Sequence, residues 1–158
     1  FIQPLNSDDL LAANRLSSMT ANVADKGIEL GFSAVDCIDA NGAKLDEFDD
    51  ARVFEFRCSQ ANIADRESVG LSFIASNPAV STGNLFFSRQ LFDRLGGFRD
   101  LRYHHDWDFV QRALWHIEPA YVQHCLYHYR FHGRNTISEN GPARRNEVDA
   151  MLNLDAEK

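Results

Sequence analysis

The chain reads as an α/β protein with a mixed sheet, and three patterns carry that reading. Ala12, Leu16, Met19 and Val23 step by four, three and four, the spacing of one helical face. Ile28, Leu30, Phe32 and Ala34 alternate with other residues, as a strand does. From Ala120 to Arg130 the alternation runs longer, with Val122, His124, Leu126, His128 and Arg130 on one side. Tyr121, Gln123, Cys125, Tyr127 and Tyr129 fall on the other, so this strand carries chemistry on one face.

The elements follow in order. Phe1 to Leu5 is a short apolar run that stops on Asp8 and Asp9. The first helix follows, with Gly27 as its stop. After the Ile28–Ala34 strand, Asp39-Ala40-Asn41-Gly42 is a tight turn, because Asn-Gly readily adopts positive φ. Asp46 to Asp50 is acidic and reads as a solvated loop. Ala51 to Asn77 shows poor periodicity, and a loop-rich stretch of that length is often a binding lid. Leu85-Phe86-Phe87 is a strand, and Ser88 caps a brief helix from Arg89 to Leu95 that ends at Gly96-Gly97. Asp106 to Trp115 is a second helix, with Trp107, Val110 and Leu114 on one face. Its first-turn acids, Asp106 and Asp108, favour the helix dipole, and Asp108 is expected to contribute little beyond that. Gly141-Pro142 breaks the chain before a polar, helical and peripheral tail. No internal repeat or low-complexity tract is present.

Composition bounds the function. One domain spanning 1–158 is long enough to bury a core. A formal charge of -7 with a pI near 5.3 argues against a nucleic-acid footprint, which is normally basic. No apolar run approaches the roughly 20 residues of a membrane-spanning helix. Cys37, Cys58 and Cys125 are odd in number, far apart and without a CxxC pair, which suits reduced thiols in the cytoplasm, either free or peripheral to the inner face of a membrane. The chain begins at Phe1, inside what reads as a buried strand, and is expected to be a piece of a longer protein.

Three clusters carry chemistry. Asp8 and Asp9 close the first apolar run, and ligands of α/β proteins gather where strands end. Hard cations such as magnesium or manganese take carboxylate oxygens there. The alternative is a helix N-cap. His104-His105-Asp106-Trp107-Asp108 packs two imidazoles, two carboxylates and an indole together, and a carboxylate at a helix start is a credible general base. Helix capping is again the alternative. Ser81-Thr82-Gly83-Asn84 is a polar hinge that would hydrogen-bond a hydroxylated ligand or simply turn the chain. The six histidines fit no zinc pattern, since His124 and His132 lie too far apart along a strand to share an ion.

Taken together and in order, these pieces resemble the second half of a family 2 glycosyltransferase with the GT-A fold. Leu5-Asn6-Ser7-Asp8-Asp9 resembles the family's DXD segment, often Leu-Asp-Ser-Asp-Asp, and Ile38-Asp39-Ala40-Asn41-Gly42 the strand and turn after it. Ser81 to Arg89, then Leu95-Gly96-Gly97-Phe98, resembles the stretch leading to the catalytic acid. His105-Asp106-Trp107-Asp108-Phe109 with Arg112 is similar to the Glu-Asp-x-Asp helix start. Tyr129-Arg130-Phe131-His132-Gly133-Arg134-Asn135-Thr136 resembles the closing Tyr-Arg-x-His-x-x-Asn motif. The likeness covers about Phe1 to Glu139, leaving 140–158 as a tail.

The resemblance implies sugar transfer from a nucleotide-sugar donor to a saccharide or other hydroxyl acceptor, with inversion and a divalent manganese or magnesium ion. Asp8 would hold the ion with His132, Asn6 and Asp9 would contact the donor, and Asp106 would be the base. Asn84, Trp107 and His105 would line the acceptor side, with Asp8, Asp106 and His132 converging on one site. Asn6 stands where an Asp is commoner, and His105 where a Glu is commoner. The family's nucleotide-binding half would precede Phe1, so this piece alone is expected to be inactive and to self-associate through exposed sheet edge. A non-catalytic sugar-binding or scaffold module with the same fold is the second reading. A metal-dependent phosphohydrolase is the third, although its two-metal sites need more ligands than the motifs assign.

Overall fold

A mixed four-stranded sheet organises the chain. In the computed structural model, which describes residues 1–46, 48, 50–132 and 142–156, strands β2 (Leu30–Ile38) and β4 (Ala120–Arg130) lie parallel at its centre. The edge strand β1 (Leu10–Leu11) pairs antiparallel with β4, and β3 (Phe86–Phe87) pairs antiparallel with β2. The order is therefore β1-β4-β2-β3. Parallel central strands are covered on both faces, and β2 is accordingly buried along almost its whole length.

β4 has the bounds its alternation predicts, but the alternation breaks inside it. Opposite the single step from Ser33 to Ala34, β4 advances from Val122 to Cys125, and opposite the next step it advances to Tyr127. The first inserts two extra residues and keeps the inside–outside phase, whereas the second inserts one and reverses it. Gln123, His124 and Cys125 are exposed, while Leu126 and Tyr127 are both buried. Two neighbouring side chains thus enter two different cores. Leu126 packs with Met19, Val23, Phe86 and Val122, and Tyr127 with Cys37, Val53, Tyr129 and Phe131.

The first helix, α1, is Arg15–Asn22, followed by a 3-10 turn that ends on Gly27. Its buried stripe is Arg15, Met19 and Val23, and Leu16, expected on that face, is 56% exposed. The stripe is rotated because a guanidinium takes the inward position. The stretch expected to be a loop-rich lid instead begins with a 14-residue helix, α2 (Ala51–Ala64). Asp50 caps it by accepting the Arg52 N–H at 2.9 Å. Only Val53 and Ile63 of α2 are fully buried, and Phe54 is exposed, which is why the helix left so faint a pattern.

Ser88 caps α3 (Arg89–Arg94) by accepting the Leu91 N–H at 2.9 Å, and Gly96 and Gly97 follow with φ of 71° and 77°. Two consecutive left-handed residues are cheap only for glycine. α4 (His105–Ala113) buries most of its circumference, and its Phe109 ring lies 4.9 Å from both Phe87 and Phe98. α5 (Pro142–Ala156) forms as the tail predicts, but it docks through Met151, which is 1% exposed, rather than lying loose at the periphery. Gly133 to Gly141, including Gly133 to Thr136 of the expected closing motif, lies outside the described residues.

Asp108 departs furthest from its expected role. It is fully buried, with Arg99 at 2.8 Å on one oxygen and Arg112 at 2.9 Å on the other. Arg112 then donates to the Leu95 and Gly97 carbonyls at 2.7 and 2.8 Å, locking the glycine turn to α4. Removing one member of a buried pair leaves uncompensated charge, so Asp108→Ala should lower unfolding stability by about 3–5 kcal/mol. Asp93→Ala, which breaks the exposed Arg89 pair on α3, should change it by less than about 0.5 kcal/mol. Urea unfolding of both variants checks the contrast.

Candidate functional site

The acidic cluster is a turn between the first segment and β1. α1 begins only at Arg15, with Asn14 at its N-cap, so neither Asp8 nor Asp9 caps a helix. The two carboxylates part ways. Asp9 is buried, and Oδ1 accepts the Arg130 N–H at 2.8 Å. Its Oδ2 accepts the Tyr127 hydroxyl and, at 3.1 Å, the Asn6 amide. Burial pushes its carboxyl up despite these three donors. Because the Tyr127 proton goes to Asp9, Ser81 donates in turn to Tyr127 at 3.2 Å and accepts from Asn6 at 2.8 Å. Asn6 and Asp9 are therefore spent on holding the turn against β4 and the 81–84 segment.

Asp8 points outward. Its Oδ2 lies 2.7 Å from His132 Nε2, with the two side chains 37% and 29% exposed. Residues 124 apart in sequence meet here because Arg130, two before His132, clamps the Asp8 carbonyl with Nε at 2.7 Å. The same guanidinium donates to the Asp39 and Ala40 carbonyls at 2.8 and 3.0 Å, tying in the turn after β2. That turn forms as expected, with Asp39 accepting the Asn41 and Ala43 N–H groups at 2.8 Å each.

One carboxylate oxygen and one imidazole nitrogen make a mixed donor pair. Two ligands about 2.1 Å from an ion on neighbouring octahedral vertices stand about 3 Å apart, close to the spacing seen. Among the described residues, no group of three or more His, Cys, Asp or Glu forms a complete cage, so the remaining ligands of an ion would come from water or phosphate. Asp8 supplies the oxygen donor a hard cation prefers, and an ion bound there would need a ligand to complete its shell.

The second centre is the start of α4. His105 Nδ1 faces the Leu101 carbonyl at 3.2 Å, and a carbonyl only accepts, so Nδ1 carries a proton. In the neutral ring Nε2 then accepts the Thr82 hydroxyl at 2.8 Å. Asp106 is 8% exposed, and its Oδ1 accepts the Trp107 N–H at 2.7 Å. Burial pushes its carboxyl up, while His105 and His104 pull the other way. Trp107 anchors inward, donating Nε1 to the Phe73 carbonyl at 2.7 Å.

Asn84 is fully buried, and its amide is saturated. Oδ1 accepts from Arg15 at 3.0 Å and from Ser33 Oγ at 2.9 Å, and Nδ2 donates to the Ser33 and Ala79 carbonyls at 2.8 and 3.0 Å. It has no capacity left for an acceptor. Its neighbour Gly83 is required for space, since a Cβ there would lie 2.2 Å from the Tyr127 hydroxyl. Of the expected constellation, the structure brings Asp8 and His132 into contact. Asp106 makes no contact with either; the 81–84 segment runs between the two centres, with Ser81 bonded to Asn6 and Tyr127 and Thr82 bonded to His105. Sequence reasoning gave no role to Arg15 or to the Tyr127 hydroxyl. Val80, non-glycine with φ of 70° immediately before Ser81, carries no sequence signal either.

The chain matches no family model, no curated protein sequence and no solved structure. The site must therefore be read from its own geometry.

The Asp106 environment has a pH signature. Its folded pKa lies above the ordinary 3.8, so its stability contribution is fully present below that value and lost as pH rises through the folded pKa. Asp106→Asn removes the loss and keeps an oxygen for the Trp107 N–H. Thermal melts should show the variant gaining on the wild type as pH climbs from about 4, then levelling. A difference that shrinks with pH would contradict the burial of this carboxylate.

Proposed function

We propose that this chain is the catalytic and acceptor half of a metal-dependent, inverting glycosyltransferase of the GT-A fold, acting on a nucleotide-sugar donor and a hydroxyl acceptor. The observation that supports the reading best is the Asp8–His132 contact at 2.7 Å. The two residues given the metal by motif resemblance lie at opposite ends of the likeness, and the fold puts them side by side and open to solvent.

Asp8 and His132 would hold the ion together with the donor's diphosphate oxygens. An ion held by them would supply charge stabilisation for the departing nucleoside diphosphate. Asp106 takes the proton of the acceptor hydroxyl as its oxygen attacks the anomeric carbon. The bond from that carbon to the diphosphate breaks on the opposite side, and configuration inverts. A base works best with a pKa near ambient pH, and burial moves Asp106 in that direction. His105, held in one tautomer by Leu101 and Thr82, lies next to the base on the acceptor side. Asn84 and Trp107 act from behind, as the supports of that wall.

The second reading, a non-catalytic sugar-binding or scaffold module, draws on one feature. The polar atoms of Asn84 and the Trp107 indole N–H are consumed inside the protein, leaving fewer groups for a saccharide.

Calorimetry on the full-length gene product separates the two. Manganese-dependent binding of a nucleoside diphosphate should appear in the wild type and disappear in Asp8→Ala and His132→Ala. Binding unchanged in both variants would remove the metal role. In a transfer assay, Asp106→Asn should lower kcat by about 10²–10⁴-fold with donor affinity retained, the usual contribution of a general base. Near-full transfer by that variant would leave the module reading in place.

A further inference from the structure

α5 reaches the second centre from outside. Glu147 and Met151 stand four residues apart, on one face of the helix. Met151 is buried, which turns Glu147 toward the segment leading into α4. There the Glu147 carboxylate collects three consecutive backbone N–H groups. Oε1 accepts from Arg102 at 2.6 Å, and Oε2 accepts from Tyr103 at 2.7 Å and His104 at 2.9 Å.

The three donors sit where a helix needs help. N–H groups at a helix entrance have no partner within the helix, and a cap side chain normally supplies one. His104, at the N-cap of α4, makes no side-chain cap hydrogen bond. The Glu147 carboxylate instead takes the His104 N–H and the two N–H groups before it, fixing the chain as it enters the helix with charge-assisted bonds that are shorter and stronger than neutral ones. Three consecutive N–H groups turned onto one anion fix the path of the chain as well as its energy. The next two residues are His105 and Asp106.

We propose that Glu147 is a positioning residue, which holds residues 102–104 so that His105 and Asp106 enter α4 in the orientation the acceptor requires. The role of Asp106 as base rests on the function proposed above; the hold on the backbone does not. The consequence is that the second centre is completed only when the C-terminal helix has docked. Loss of Glu147 lets the 102–104 segment relax outward and admits water to the buried Asp106 carboxyl.

The test uses Glu147→Ala and Glu147→Gln in the full-length gene product. Glutamine keeps one acceptor oxygen but turns an NH2 group toward the backbone donors, so it should behave as an intermediate. Amide exchange should quicken at residues 102–104 in the alanine variant. The carboxyl carbon of Asp106, followed by NMR through a pH titration, should show its midpoint fall toward the ordinary aspartate value. With a donor and acceptor pair, kcat should drop by about 10²-fold, the scale of a slight misplacement, while KM for the donor holds. If Glu147→Ala melts earlier yet keeps the wild-type Asp106 midpoint, Glu147 is a brace and the proposal fails. If Glu147→Ala does not fold, the same two readouts on Glu147→Gln decide in the same way. A shifted midpoint in a protein whose wild type transfers no sugar would uphold the positioning role and overturn the assigned chemistry.

Discussion

The guanidinium of Arg15 is the point on which the rest of the structure depends. It is fully buried and lies 5.5 Å from the centre of the Tyr127 ring. It donates to Gln3 at 2.7 Å, Ser33 at 2.9 Å, and the Asn84 side chain and carbonyl at 3.0 and 2.7 Å. Those bonds join the N-terminal segment, α1, β2 and the 81–84 segment. Burial pushes its pKa down to about 10, which still leaves it charged at neutral pH. Oriented amide and hydroxyl dipoles hold that charge. Such an arrangement works only if every member is satisfied, because an unmet polar group in a dry interior is expensive. The saturation of Asn84 follows from this constraint.

From Arg15 the order spreads to both ends of the candidate site. A fixed Asn84 fixes Ser81 and Thr82, the first reaching the Asp9–Tyr127 network and the second reaching His105. The 81–84 segment thus links the acidic turn to the start of α4, and it is built as a rigid one. Val80 enters it with a left-handed backbone, and Gly83 passes within a methyl's width of Tyr127.

The two carboxylates of the proposed chemistry live in opposite environments. Asp8 is a third exposed and meets an imidazole, a setting that suits an ion shared with a solvated ligand. Asp106 is enclosed, and its proton affinity rises with the loss of water. Asp9 and Asp108, each one or two residues from these, are closed off by donors on both oxygens and belong to the scaffold. Proximity in sequence says little about which acid of a pair is available.

Local patterns were sufficient for the elements whose signals are local. The β4 strand, the Ser88 cap, the paired glycines after α3 and the Asp39–Gly42 turn depend on alternation, capping or left-handed backbone, and each forms where those rules put it. α2 escaped notice because a helix that buries little has little periodicity. The inward Arg15 escaped because charged residues are read as surface unless a partner is visible, and its partners are 12 to 69 residues away in sequence. The sequence also named Asp8 and His132 together, and these two side chains do meet. Which acids face water, and which serve as structure, was decided only when the bulge in β4, the Arg130 clamp and the Arg15 node closed around them. Hydrogen bonding and desolvation are properties of neighbours in space, and those neighbours exist only after the chain has folded.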